Sequence, residues 1–251
     1  MKNFSWLVPA LVLLYSTTGS AAEYRVYSAA GVKVPMLQFA SVFNETNANS
    51  RVLNDFDTAG AAEKKFMTDR DGACLITTQV RINKAIKSGA LLGQEPIELV
   101  DTVAGLASSS AKKPSIATAA EMTQALLTAK SIAFSDPARG ATVGLHFQNM
   151  IKTLGIEKQI MDKAILASDG VETMKLVKAK KVELGVTQTS EIIQSMPSSL
   201  VGPFPAEFEL ATRYSMWCRN PGDPHVADLI SLMRSKWGAS VFTSNGLRVV
   251  K

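Results

Sequence analysis

Apolar and polar positions change period repeatedly along the chain. The segment YRVYSA (24–29) alternates with period two, the mark of a strand with one face buried. In GVKVPMLQFASVFN (31–44), Val34, Leu37, Ala40 and Phe43 fall on one helical face, and Pro35 occupies the tolerated first turn. Strand-like SRVLNDF, helical AAEKKFMTD and strand-like ACLIT follow, and VRINKAIKSG predicts a helix closed by Gly89. After IELVDTVAGLASSS the character changes. Thr118 and Glu121 form a capping-box pattern ahead of the helix AAEMTQALLTAK. SIAFS then reads as a strand, DPARGAT as a loop and VGLHFQNMIKTLG as a helix, with Phe147, Met150, Ile151 and Leu154 on one face and Gly155 at its end. A further unit runs through KAILASD, GVETMKLVKAKK and VELGVTQ. ATRYSMWCR predicts another strand, DPHVADLISLMRSKWG a helix, and a last short helix ends at Asn245-Gly246.

Strands alternating with helices predict parallel sheets covered by helices, with the second series forming a sheet of its own. The order fits two α/β lobes: residues 23–104 with 211–251 in one, and residues 105–210 in the other. No internal repeat or low-complexity tract interrupts them.

The first 22 residues stand apart from this pattern. Lys2 precedes an apolar run from Phe4 to Tyr15 and a polar stretch ending Ser20-Ala21-Ala22, as in a secretory signal peptide cleaved near Ala22. The leader carries Lys2 and no acid, so the balance of Lys and Arg over Asp and Glu changes from 27 against 22 to 26 against 22. A mild positive excess suits a small anionic ligand. Scattered basic residues without stacking aromatics argue against nucleic acid. An exported chain permits a disulfide between Cys74 and Cys218, the alternative being two buried thiols. Only His146 and His225 are present, neither beside a cysteine, so no zinc site or other cofactor is expected.

Four junctions carry a strand through small residues into a helix: SAAGV (28–32), DTAGA (57–61), DPARGAT (136–142) and SDGVE (168–172). The first turn of a helix leaves N–H groups without intrahelical partners, and the helix dipole adds positive potential there. Glycine and alanine allow close approach of an anion, and Thr58, Thr142 or Ser168 would add hydroxyls. Two such edges facing each other at the carboxyl ends of their strands would enclose a ligand between lobes.

SAAGVKVPMLQFASVFNETN, SIAFSDPARGATVGLHFQNMIKTLGI and DGVETMKLVKAKKVELGVTQTSEI together resemble the molybdate-binding family of periplasmic solute-binding proteins, as a divergent branch. The resemblance implies a two-lobed periplasmic-binding-protein fold: two mixed, mainly parallel sheets flanked by helices, with a hinge between lobes. It also implies a monomer that delivers an oxyanion to an ABC permease in the inner membrane. Carried over from the family, the oxyanion contacts fall on Ala30 and Gly31, on Thr58, Ala59 and Gly60, on Ala141 and Thr142, on Gly170 and Val171, and on Gln188. Gly31 stands where the family has serine, and Gln188 where it has tyrosine. The first change removes a donor, and the second brings an amide that both donates and accepts. If Gln188 faces the ligand, its carbonyl favours a guest bearing its own proton or hydroxyl; on the rim it would be solvated.

Arg139, in the third junction, is read either as a bidentate partner for a ligand carboxylate or as a solvent-facing loop residue. Arg81 and Arg213 are further cations near the expected cleft. Asp55 and Asp57 read as turn residues bonding nearby amides. No nucleophile elbow, P-loop or zinc-helix motif occurs, so the chain is not expected to be an enzyme. The expected function is periplasmic binding of a molybdate- or tungstate-like oxyanion for import, with a small organic carboxylate or a sensory anion-binding module as alternatives.

Overall fold

The computed structural model describes residues 21–250; most of the expected leader lies outside them. Strands β1 (Ala22–Ala29), β2 (Ser50–Asp57) and β3 (Cys74–Thr78) pair in parallel in the order β2-β1-β3, linked by α1 (Lys33–Thr46) and α2 (Ala59–Thr68). Helix α3 (Gln79–Lys87) stops at Gly89, whose φ of +76° is the left-handed conformation glycine adopts freely. β4 (Ile97–Ser108) then passes from the first series toward the second.

The second series runs through α4 (Ala119–Thr128), β5 (Ile132–Ser135), α5 (Thr142–Thr153), α6 (Glu157–Met161), β6 (Ala164–Ala167), α7 (Gly170–Lys178), β7 (Leu184–Gln188), α8 (Thr189–Ser195) and the short strand β8 (Leu200–Pro203). The chain returns in β9 (Ala211–Cys218) and ends in α9 (Pro224–Arg234), α10 (Lys236–Ser244) and β10 (Arg248–Val249). The expected capping box forms, with the Thr118 hydroxyl accepting from the Glu121 amide and the Glu121 carboxylate from the Thr118 amide.

Among the described residues the strands follow one hydrogen-bonded order, β2-β1-β3-β9-β4-β7-β5-β6, with β8 and β10 also on β4. The separate second sheet expected from sequence is therefore joined to the first, because β4 belongs to both. Its residues Ile97–Val103 pair antiparallel with β9, and Ala104–Ser108 pair antiparallel with β7. Just at this change the Ala104 amide donates to Leu210 O, where the chain comes back. β4 thus exchanges β9 for β7 at the level where the chain re-enters the first half.

Helices cover both faces of each half. In the first, Phe39 and Phe43 of α1 join Leu229 of α9 and Phe242 of α10 on one face, and Phe66 of α2 packs with Ile82 and Trp217 on the other. In the second, Phe134, Phe147 and Ile151 form the larger cluster, and Met174, Val177 and Ile192 the smaller. Each fully buried aromatic or aliphatic side chain contributes about 1.5–3 kcal/mol. Cys74 and Cys218, directly opposed on β3 and β9, are joined in a disulfide.

The helix predicted to run unbroken through Trp237 and Gly238 is two helices. Ser235 leaves helical geometry with ψ of 165°, and its Oγ accepts from the Gly238 amide at 3.0 Å, opening α10. Serine's competing side-chain hydrogen bond makes it a helix start rather than a helix interior.

Candidate functional site

A cavity of about 30 Å³ lies at the carboxyl ends of β1, β2, β5 and β7, walled from both halves. The first half supplies Ala30 and Gly31, in a 3₁₀ turn, with Thr58 and Ala59 at the start of α2. The second supplies Ser135 at the end of β5, Ala141, Thr142 and Val143 at the start of α5, and Gly170 at the start of α7. The four helical starts differ in how their amides are met. The Thr58 hydroxyl accepts from Ala61, and the Asp169 carboxylate from Glu172. At α5 no side chain caps the helix, so the amides of Thr142 and Val143 have no partner from within it. The Ala30–Val32 turn is likewise without a side-chain cap. Unmet amides converging on a buried space make an anion site in which backbone dipoles replace a cation. No lysine or arginine lines the cavity among the described residues.

Beside it the two halves touch directly. The Thr58 hydroxyl donates to Arg139 O at 2.5 Å and the Gly60 amide to Gly140 O at 3.2 Å. Gly60 and Gly140 lie so close that a Cβ added to either would sit 2.9 Å from the other's Cα, and Gly140 has φ of +73°. Arg139 reaches back across the seam: its Nη2 pairs with Asp57 Oδ1 at 2.9 Å, and its Nε donates to Ser168 O at 2.9 Å. Burial raises the Asp57 pKa, but the Thr58 amide, Arg139 and Lys65 outweigh it and leave the carboxyl below its usual range. Asp57 does bond the Thr58 amide as a turn residue should, and it also anchors Arg139. Gly60 and Arg139 line a neighbouring, more open depression instead of the enclosed cavity, and Val171 lines neither. Arg81 pairs with Glu63 and with Gly140 O, and Arg213 with Asp101 and Glu98. All three arginines proposed for a ligand are thus held by the protein's own oxygens.

Gln188 is buried at 3 % exposure and lines the cavity, so the solvated-rim reading is overturned. Its Nε2 donates to Thr212 Oγ1 at 2.9 Å, and Oε1 has no partner among the described residues. Two residues the sequence reading missed complete this wall. Glu191, one turn into α8, accepts on Oε2 from the Thr187 hydroxyl and from the Gln188 amide. Burial raises its pKa to about 7, with Asp169 adding to the shift and the two hydrogen bonds opposing it. Tyr214 of β9 brings its hydroxyl to the first junction, where a Cβ on Gly31 would lie 2.5 Å from Oη. Burial, and then the Glu191 charge, raise the Tyr214 pKa, so the phenol keeps its proton. Gly31 thus leaves the space that the Tyr214 phenol fills from β9.

Residues 24–248 match the family of bacterial extracellular solute-binding proteins. No curated protein matches the chain. Among solved structures, the periplasmic molybdate-binding protein of Azotobacter vinelandii superposes with a TM-score of 0.71 at 15% identity, covering 91% of this chain and 100% of its own. A substrate-binding protein from Clostridium perfringens with bound phosphate gives 0.68 at 10% identity, covering 91% and 100%. PEB3, a Campylobacter jejuni protein, gives 0.65 at 14% identity in its L-phospholactate complex, covering 90% and 99%. At these identities the likeness is one of fold.

Proposed function

The chain belongs to the family of bacterial extracellular solute-binding proteins, and we propose that it is a periplasmic receptor that closes two lobes on a small oxyanion and presents the closed form to an ABC permease of the inner membrane. The observation that carries this reading is the cavity whose walls are helix starts from both halves, with uncapped amides and no lysine or arginine. Amides fixed in the backbone hold an oxyanion without the desolvation cost of a buried cation. Residues 23–104 with 211–251 form one lobe and residues 105–210 the other. They turn about β4, where it exchanges β9 for β7, and about the segment at Leu210 that leads into β9; the contacts of Arg139 and Gly140 with Asp57 and Gly60 hold the closed form. The receptor acts as a monomer, and its chemistry is binding alone.

Size supports an inorganic ion. A cavity of about 30 Å³ accepts a group of a few atoms, whereas sites for drug-sized molecules measure about 300 Å³ or more. Of the residues that favour a carboxylate, Gly31, Gln188 and Arg139, the arginine has its guanidinium taken by Asp57. The molybdate resemblance of the sequence and the anions named in the related structures both point to tetrahedral oxyanions.

A thermal-shift screen of the mature protein against molybdate, tungstate, sulfate, phosphate and small carboxylates tests the reading. A ligand at 100 times its Kd stabilises the native state by about 2.7 kcal/mol. At least one oxyanion is expected to raise the melting temperature. A shift with carboxylates alone would refute the oxyanion reading.

A further inference from the structure

We infer that the cavity takes an oxyanion carrying its own proton, of the phosphate class, and discriminates against fully ionised sulfate and molybdate. The inference rests on the anion-binding reading above and deepens it.

A site for an ion with acceptor oxygens alone should present donors alone, because a buried acceptor facing it loses hydration without replacement. This cavity is lined by donors, at Thr142, Val143 and the Gly31 turn, and also by acceptors, at Gln188 and Glu191. Gln188 Oε1 is buried without a partner. Its Nε2 donates to Thr212 Oγ1, which orients the carbonyl end. Glu191 has no alternative orientation that removes its acceptors, since both oxygens of a carboxylate accept. Oε2 is met by Thr187 and Gln188, and Oε1 makes no hydrogen bond among the described residues. Gly170 lies against this carboxylate, with no room for a side chain between them. A P–OH group meets the ionised Glu191 with a charge-assisted hydrogen bond, while sulfate, a dianion like hydrogen phosphate but without a proton, would set oxygen against oxygen.

The titratable groups around Glu191 are Asp169 at the start of α7 and Tyr214 on β9. Asp169 is a carboxylate that favours the protonated Glu191, and Tyr214 stays neutral. Below about pH 7 the protonated Glu191 becomes a donor, so discrimination should weaken in acid.

Calorimetric titration of the mature protein at about pH 8 with phosphate, arsenate, sulfate and molybdate decides the matter. Phosphate and arsenate are expected to bind about 10- to 100-fold tighter than sulfate and molybdate, the factor a hydrogen bond to a charged group supplies. Sulfate affinity should rise as pH falls through about 7. Glu191→Gln, whose amide donates, should bind sulfate more tightly and phosphate more weakly. Sulfate or molybdate binding as tightly as phosphate to the wild type overturns the inference and leaves the oxyanion cleft standing. Unchanged discrimination in a folded Glu191→Gln variant overturns the role of Glu191, and the wild-type comparison decides the ligand class if that variant does not fold. Failure of all four ions to bind overturns the cleft reading itself.

Discussion

Glu191 is a carboxyl group whose burial should be visible in folding before any ligand is added. Its pKa is about 7 in the folded protein, against 4.5 for an unperturbed glutamate. Between those values the native state binds more protons than the unfolded chain, so stability falls as pH rises. The contribution is fully present below about pH 4.5 and is lost as pH passes about 7. Linkage over that interval amounts to about 2–3 kcal/mol between about pH 5 and about pH 8, an upper value because water entering the cavity would moderate it. The perturbation is Glu191→Gln, which keeps the shape and removes the titration. Urea unfolding of ligand-free wild type and variant at the two pH values gives the change for each, and subtraction removes every other titrating group, including the depressed Asp57, Asp69 and Asp101. Those acids act in the opposite direction and are common to both proteins. Wild type should lose about 2–3 kcal/mol more than the variant on going to the higher pH. Parallel profiles would refute the reasoning, because Glu191 would then be ionised in the fold at no cost.

Three further perturbations follow from the same geometry. Gly31→Ser should weaken ligand binding and destabilise the protein by about 1–3 kcal/mol, since its Cβ meets Tyr214 Oη; adding Tyr214→Phe should restore part of both, as read by calorimetry and thermal melting. Arg139→Ala should lower ligand affinity about two- to fivefold by loosening the closed form, with greater compactness on ligand addition seen by small-angle scattering; unchanged affinity would remove Arg139 from closure. Reduction of the Cys74–Cys218 bridge, which links residues 144 apart, should cost about 2–5 kcal/mol in urea unfolding, and an unmoved transition would contradict a stabilising bridge.

The alternation of strands and helices was legible because each has its own period. The four junctions were legible because small residues and caps mark where a strand turns into a helix. Helix α8 was not, being seven residues placed directly after β7 without a glycine or proline to announce it, and so Glu191 escaped notice. Tyr214 lay in a recognised strand, but its approach to Gly31 joins positions remote in the chain and depends on how β9 crosses the sheet. Arg139 was visible as a cation near the cleft. Its partner Asp57, 82 positions away, becomes apparent only when the second junction faces the third. The break at Ser235 was hidden because apolar spacing continues through it, and only the side-chain hydrogen bond to Gly238 reveals the new start.

The central claim is that unmet amides and buried acceptors from both halves of the molecule converge on one oxyanion. Arsenate tests it most directly, because it mimics phosphate and its arsenic atom scatters anomalously. In crystals of the mature protein grown with arsenate, the account predicts one strong anomalous peak between Gly31, Thr142 and Gly170, with an arsenate oxygen within hydrogen-bonding distance of Glu191. A peak elsewhere on the surface, with the cavity holding only water, would contradict it.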